Sequence, residues 1–299
     1  MKKFRIVKDK KYGYRRLDPI PATKDIKEFY QKRYYDLIKK GGRACELRRI
    51  MAGGEESKSE LKWLTHTYYS DIHDVLEIHI YKRTKSLLDI GSGTGDFLKY
   101  MLNKGWDVVG VEPSKETSRT VERSGLTIFN CPFEDFIVKH QNFKQTFDAI
   151  TLLNVLEHVP DPAKIVQHTK EFLKPHTGII CIRVPNDFNK LQFYADKKLK
   201  KTKWWVAIPD HINYFNFKSL RKLVESFGFK IIYKTTDFPM ELFLLMGDDY
   251  VDNPEIGKQC HQKRVNFEFS ISRELRRNLY SKLAELGIGR ECIIYARKI

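Results

Sequence analysis

Short apolar runs alternate with stretches of helical periodicity along residues 86–185. Strands separated by helices of this length are typical of βαβ units with a parallel sheet covered on both faces. The apolar runs that predict strands are residues 86–91, 107–111, 127–130, 148–153 and 179–184, and the helical stretches are residues 97–105, 114–125 and 162–173. The pattern therefore predicts an α/β fold with a doubly wound, mostly parallel sheet.

The alternation breaks at residues 186–216, a segment that we interpret as a lid over the sheet edge. A helix at 218–227 and a strand at 230–235 follow, then a helical insertion over about residues 241–289 and a last strand at 291–296. Ahead of residue 86 the pattern is mainly helical from Lys24 onward. We therefore predict two parts, a basic N-terminal helical cap at residues 1–85 and a ligand-binding domain at residues 86–299.

The formal net charge of the 299-residue chain is +16, and it is unevenly distributed. Residues 1–50 contain 17 Lys and Arg against 6 Asp and Glu, whereas residues 86–185 contain 11 against 12. A basic surface outside the predicted sheet favours an anionic partner such as a nucleic acid, a phosphorylated or acidic glycan, or a membrane face. The simpler interpretation is a solvated basic surface that aids solubility.

Neither a membrane span nor a signal peptide is apparent, since no apolar run approaches the roughly 18 residues that a span requires. The five cysteines are odd in number and contain no C-x-x-C pair, so we expect reduced thiols that fill the core. These features predict a cytoplasmic protein, and its oligomeric state stays open.

A run of alternating glycines follows the first predicted strand, in the sequence Asp89-Ile-Gly91-Ser92-Gly93-Thr-Gly95. Ligands of open α/β sheets bind outside the carboxyl ends of the strands, and glycine lets the backbone turn sharply and approach a ligand closely. The arrangement of strand, glycine turn and helix is that of a Rossmann-like nucleotide-binding sheet. We predict that Asp89, Gly91, Ser92, Gly93 and Gly95 bind a cofactor.

Glu112 ends the second strand, where an acid can accept hydrogen bonds from both hydroxyls of an adenosine ribose. NAD enzymes and S-adenosylmethionine enzymes share such an acid. Asp96, however, follows Gly95 at the start of the helix, where a carboxylate would repel a pyrophosphate but tolerates a sulfonium and an ammonium. The motif therefore favours S-adenosyl-L-methionine over NAD.

At this point the chain resembles the class I methyltransferases, and among them the group that includes the ubiquinone-biosynthesis O-methyltransferase. The similar segments are LLDIGSGTGDFL, VGVEPS, CPFEDF, FDAITLLNVLEHVPDP and PDHINYF. The resemblance implies that the glycine loop lines the methionine half of the cofactor and that Glu112 holds the ribose. It further implies that Phe133 and Glu134 border the adenine and that Asn154 lies under the methionine end, and Pro113 and Leu153 are also predicted to bind the cofactor.

Two histidines stand in these segments and are candidates for catalysis. Methyl transfer to an alcohol requires removal of a proton, and a positioned histidine is the usual base at neutral pH. His158 follows the fourth strand and His211 lies at the end of the lid. Either could instead have a purely structural role. The carboxylates and histidines have no recognised metal-ligand spacing, so we expect metal-independent catalysis.

The lid combines six lysines with Trp204 and Trp205, a composition that suits a phosphorylated substrate, a sugar face or a stacked base. The lysines are Lys190, Lys197, Lys198, Lys200, Lys201 and Lys203. The alternative is a helix with a solvated basic face and packed tryptophans. Three functions follow: O-methylation of a small molecule or of a sugar or glycan precursor, methylation of RNA, or cofactor binding without catalysis.

Overall fold

A computed structural model describes residues 4–22, 26, 45–114, 125–201 and 203–299 of the chain. The helix predicted at residues 114–125 lies almost entirely outside the described residues, as does most of the segment 24–44. By its contacts the chain divides into two compact units, Pro21–Ile150 and a second unit made of Met1–Ile20 with Thr151–Ile299. The predicted division after residue 85 stays a prediction.

The first described elements of the unit Pro21–Ile150 are helices. The sequence pattern predicts helices in this region, ahead of residue 86. These are the α-helices Cys45–Ala52, Gly54–Leu64 and Ser70–His79, the last two joined by a π-helical turn at Thr65–Tyr69. Glu60 is buried there and accepts two hydrogen bonds from the guanidinium of Arg49, at 2.7 and 2.8 Å.

Three parallel strands follow in this unit: β3 (Lys85–Ile90), β4 (Trp106–Val111) and β5 (Thr127–Phe129). Helix Asp96–Asn103 lies between β3 and β4, and helix Phe133–Lys139 follows β5. Leu87 and Leu88 are fully buried, as expected of a parallel strand covered on both faces.

The second unit contributes four strands to the larger sheet, which are β6 (Ala149–Leu153), β7 (Ile179–Pro185), β9 (Phe229–Thr235) and β10 (Glu291–Lys298). Strand β6 begins two residues before this unit does. Strand β10 runs antiparallel to both β7 and β9. The complete seven-stranded sheet has the order β5-β4-β3-β6-β7-β10-β9. This mostly parallel, doubly wound sheet confirms the predicted fold class.

The helices of the second unit match the predicted lid and insertion. Helix Pro162–Phe172 connects β6 to β7, helix Lys190–Leu199 lies in the lid, and helix Phe217–Glu225 precedes β9. The insertion contains three helices, which are Glu241–Met246, Pro254–Ser270 and Arg273–Glu285.

Residues 5–18 differ from the predicted helical cap, because they form a β-hairpin. Strands β1 (Arg5–Lys8) and β2 (Arg15–Asp18) pair antiparallel, and β2 also pairs with β8 (Asn213–Tyr214) at the end of the lid. Each hairpin strand has only four residues, too few for an alternating apolar pattern to stand out from the surrounding charges.

The cysteines behave as expected where the structure describes them. Cys181, Cys260 and Cys292 are buried free thiols, and Cys131 is a half-buried one. Among the described residues, no helix has the length and apolar character that crossing a membrane requires.

Candidate active site

The glycine loop, residues 89–95, turns sharply between β3 and helix Asp96–Asn103. Gly91, Gly93 and Gly95 have φ values of 77°, 53° and 73°, a left-handed region that side chains with a Cβ rarely adopt. The loop is held by hydrogen bonds from Gly91 N to the Val111 carbonyl at 2.8 Å and from Gly95 N to the Ser92 carbonyl at 2.9 Å. The glycines are therefore required by the backbone itself.

The side chain of Glu112 stabilises the glycine loop through hydrogen bonds, and its contact with a ribose stays a prediction. Its Oε2 accepts a hydrogen bond from Gly93 N at 2.9 Å, and its Oε1 accepts one from Ser114 N at 2.9 Å. Burial raises the pKa of Glu112, and the two backbone donors partly offset that rise. Each carboxylate oxygen keeps a second lone pair, which can accept a ribose hydroxyl.

The space beside the loop fits a nucleoside ligand. A Cβ built on Gly93 would meet no heavy atom within 4 Å, so the loop faces open space. Ser92 Oγ is buried and has no hydrogen-bond partner among the described residues. Asp96 accepts a hydrogen bond from Thr94 Oγ1 at 2.6 Å at the helix start, and burial raises its pKa. A cradle lined by acidic and hydroxyl groups fits a cationic sulfonium cofactor better than a pyrophosphate.

The residues predicted to bind the cofactor beyond Glu112 differ in exposure. Phe133 is buried and stacks on Phe136 with 6.1 Å between ring centroids, so its ring already contributes to the core. Glu134 is exposed in the first turn of the same helix, and Pro113 directly follows Glu112. Cofactor contacts from Pro113, Phe133 and Glu134 stay predictions.

Gly110 is a further residue of this site that the sequence analysis missed. A Cβ at Gly110 would lie 2.7 Å from Leu98 Cδ1 and 2.8 Å from Ser92 Oγ, closer than real Cβ contacts. Glycine within an otherwise apolar strand often marks a close approach of this kind. Gly110 within the sequence VGVE is such a glycine, so the sequence could have indicated this close contact.

In the second unit, Leu153 ends β6 and Asn154 follows it with a φ of 59°. Asn154 Nδ2 donates to Glu157 Oε1 at 3.1 Å and to Glu291 Oε2 at 3.2 Å. The Asn154 side chain therefore bridges two buried carboxylates. Its predicted contact with the methionine end of the cofactor stays a prediction.

His158 lies between two carboxylates. Its Nδ1 is 3.1 Å from the Asp210 carbonyl and 3.4 Å from Asp210 Oδ1, and its Nε2 is 3.8 Å from Glu157 Oε1. Burial opposes a charged ring, but the hydrogen bond with Asp210 and the charge of Glu157 outweigh it and raise the pKa of His158 to about 9. At neutral pH the ring is therefore protonated.

His211 lies against His158, with 4.9 Å between the ring centroids and a nearly perpendicular arrangement. The backbone fixes its segment, because the Glu157 carbonyl accepts hydrogen bonds from Ile212 N at 2.7 Å and Asn213 N at 3.0 Å. The two predicted catalytic histidines are thus neighbours, 53 positions apart in sequence.

Glu157, His158 and His211 also offer ligand atoms within 4.8 Å of one another, a grouping that could hold a metal ion. The spacing of these residues in the sequence does not predict the group, because it forms only when the loop after β6 contacts the end of the lid. A metal ion binds the neutral imidazole, so the hydrogen bond with Asp210 that favours a charged His158 ring works against metal binding, whereas Glu157 is itself one of the three possible ligands. Metal-independent catalysis stays a prediction.

The N-terminal hairpin supports the same segment. Leu17 is fully buried, and its N donates to the Ile212 carbonyl at 2.9 Å. Tyr14 packs on Phe215 with 4.9 Å between ring centroids, and the guanidinium of Arg15 lies 4.2 Å from the ring centroid of Phe188. The hairpin thus positions the His211 segment from the opposite end of the sequence.

Several buried carboxylates of this unit were not predicted. They follow the carboxyl ends of the parallel strands or begin the antiparallel β10, where the sequence shows only single acids. They are Asp187, Asp237, Glu241 and Glu291. Arg183 lies 3.5 Å from Glu291 Oε2 and 3.8 Å from Asp237 Oδ2.

The lid's basic and aromatic residues divide between surface and core. Lys198 donates to the Leu245 carbonyl at 2.6 Å, and Lys201 pairs with Asp249 and with Asp252, the latter at 2.8 Å. Trp205 is buried, with edge contacts to Phe188 and other rings. The packed-tryptophan interpretation is therefore correct for Trp205.

A doubly wound sheet with a glycine loop and an acid at the end of the second strand is common to NAD enzymes and S-adenosylmethionine enzymes, and the comparisons with known proteins place this chain among the class I, S-adenosylmethionine-dependent methyltransferases. A family model for a methyltransferase domain matches residues 61–234, and the chain belongs to that family. It is an enzyme, and S-adenosylmethionine is its cofactor.

The similar proteins differ in how much of this chain and of their own length the similarity covers. Over 98 residues the chain is 39% identical to the ubiquinone biosynthesis O-methyltransferase of Actinobacillus pleuropneumoniae serotype 7, covering 30% of this chain and 42% of that protein. An uncharacterized Methanocaldococcus jannaschii protein is 29% identical over 65% of this chain and 86% of its own length. The chain thus spans less than half the length of the first relative.

A solved S-adenosylmethionine-dependent methyltransferase from Archaeoglobus fulgidus has the same fold. Its TM-score is 0.54 at 16% identity, over 89% of this chain and all of that one. These likenesses leave the methyl acceptor open.

Proposed function

We propose that this methyltransferase transfers a methyl group to a hydroxyl oxygen of a small acceptor, a sugar or glycan precursor in particular. The observation that carries the proposal is the His158–His211 pair with its carboxylate neighbours. An alcohol loses its proton as it attacks, and this cluster contains a base and the charges that orient it. The similarity to an O-methyltransferase over part of the chain supports the choice of oxygen.

The two histidines have different roles in this proposal. His158 has a raised pKa of about 9 and is protonated, so it is not the base at neutral pH. His211 accepts the proton from the acceptor hydroxyl. Asp210 and Glu157 keep the His158 imidazolium in place, and His158 positions the His211 ring through the edge contact.

The cofactor supplies the methyl group, bound to sulfur as a sulfonium. The glycine loop lines its methionine half and Glu112 holds its ribose, and alignment of the acceptor oxygen with the methyl carbon does most of the catalytic work. Asp89 and Ser92 contribute polar groups to the loop.

RNA methylation is the second candidate, favoured by the net charge of +16. Among the lid lysines, however, Lys198 and Lys201 already pair within the protein. A basic surface also lacks sequence readout by itself. We therefore rank RNA below a small acceptor.

Radiolabelled S-adenosylmethionine tests the proposal directly. The purified protein is incubated with separate RNA, glycan and small-metabolite fractions, with and without a chelator, and label uptake is counted. We expect label in the glycan or metabolite fraction, unaffected by the chelator. Label in RNA alone would contradict the proposal, and loss of labelling on chelation would contradict the metal-independent mechanism.

A further inference from the structure

Three carboxylates of the second unit each bury one oxygen that has no hydrogen-bond partner among the described residues. They are Glu157 Oε2, Asp187 Oδ2 and Glu241 Oε2. Their side chains belong to residues that are 1%, 3% and 3% exposed. Burying a carboxylate oxygen without a donor costs free energy, and native proteins retain few such groups.

The three carboxylates share one edge of the sheet. Glu157 follows β6, Asp187 follows β7 and Glu241 follows β9, and these strands end at the edge where α/β enzymes bind ligands. The charges of Glu157 and Glu241 both help to raise the pKa of Asp187, after the larger effect of burial, so the three lie near one another.

Burial raises the pKa of Glu241 and the charge of Arg290 partly offsets that rise, but two other neighbouring cations are engaged with different carboxylates. Arg183 lies beside Glu291 and Asp237, and Arg264 donates to Asp237 at 3.2 Å and to Glu268 at 3.3 Å. Gln192, at the start of the lid helix, is a hydrogen-bond partner of both Asp187 and Glu241. One neutral amide cannot satisfy two carboxylates completely.

We infer that Glu157, Asp187 and Glu241 bind the methyl acceptor through its own O–H and N–H donors, so that the acceptor is polyhydroxylated or aminated. The shared chemistry is a set of hydrogen-bond donors at several points, which a hexose, a cyclitol or an amino sugar presents. An anionic group is repelled from this cluster, so any phosphate on the acceptor must lie outside it. The inference rests on the proposed function and specifies its substrate class.

Isosteric neutral variants separate this role from a structural one. Asp187→Asn and Glu241→Gln keep the shape of each side chain, but one hydrogen-bond-accepting carboxylate oxygen is replaced by a hydrogen-bond-donating amide nitrogen. We expect at least a tenfold rise in KM for the acceptor, with kcat within about threefold and an unchanged cofactor Kd. The melting temperature should stay the same or rise, because a neutral amide costs less free energy to bury than an incompletely hydrogen-bonded carboxylate. Glu255→Gln, at an exposed carboxylate of the same unit, is the matched control and should change none of these.

Direct binding uses protein saturated with the demethylated cofactor and a panel of probes. Glucose, myo-inositol and glucosamine should raise the melting temperature more than pentamethylglucose, which has the same ring but no donors. A larger shift with glucosamine than with glucose would identify an aminated acceptor, and the reverse a neutral polyol.

Two results would overturn the inference. One is an unchanged acceptor KM in both neutral variants. The other is equal stabilisation by pentamethylglucose and the donor-bearing probes. A failure of the proposed function is distinguishable, because it is seen in the wild-type protein as label in RNA alone or in no fraction.

Discussion

The glycine loop and the carboxylate–histidine cluster are built in different ways. The loop with Glu112 joins residues 19 positions apart through backbone donors to one side chain. In the cluster, Asn154 reaches Glu291 across 137 positions and His158 reaches Asp210 across 52. In a site built from local contacts, most substitutions within the short motif disturb the whole site. In a site assembled from distant loops, one side chain can be replaced while the others keep their positions. Cofactor and acceptor recognition should therefore respond separately to mutation.

The largest expected effect is on turnover at the acceptor side. His211→Ala should lower kcat by roughly 100-fold or more with cofactor affinity unchanged, because only the proton acceptor is lost. His158→Ala should have a smaller effect, since that ring is already protonated. Steady-state kinetics with calorimetric cofactor binding measures both. Near-normal turnover in His211→Ala would remove it as the base.

Glu112→Ala tests the cofactor side. Loss of the carboxylate should weaken S-adenosylmethionine binding by about 1 to 3 kcal/mol, since it removes ribose contacts and frees two backbone donors. Glu112→Gln is the matched control and should lose less, because one amide oxygen still accepts. Calorimetry gives the dissociation constants. Unchanged affinity in a folded Glu112→Ala protein would refute the ribose assignment.

Leu17→Ala tests whether the N-terminal hairpin supports only the acceptor side. Truncation of the fully buried Leu17 side chain leaves a cavity beside β2, whose backbone bonds to Ile212. The His211 segment should then shift and kcat should fall about tenfold, while the cofactor Kd stays unchanged. Ile20→Ala, at a residue 37% exposed, is the control. Equal losses of kcat and cofactor affinity would argue against separate recognition.

The smallest expected effect is on stability against pH. The pKa of His158 is raised above its usual 6.5, so its contribution to stability is complete below pH 6.5 and is lost as pH rises through about 9. We expect the wild type to lose about 1 kcal/mol more than His158→Gln between pH 6 and pH 10, less than the full shift allows because Glu157 and Asp210 also adjust. Urea unfolding at the two pH values measures it, and parallel curves would contradict the charged state.

The difference between local and long-range contacts explains which parts of the fold and the site the sequence could predict. Strands such as 107–111 and 179–184 were found nearly to the residue, because a buried parallel strand is a continuous apolar run. The glycine loop was found because its chemistry lies within one short segment. Asp187 and Glu241 were missed, since a single acid after a strand has no distinctive pattern until the fold brings it beside another. The hairpin at residues 5–18 was missed because its partner, β8, lies almost 200 positions away.

The attachment of Glu157 separates the role of its main chain from that of its side chain. Its main-chain carbonyl, accepting from both Ile212 and Asn213, anchors the His211 segment, whereas its side chain points into the carboxylate cluster. Any L-residue offers the same carbonyl, so the anchor survives replacement of the side chain. Replacement of Glu157 would thus keep the anchor of the His211 segment while removing the carboxylate that lies 3.8 Å from His158 Nε2.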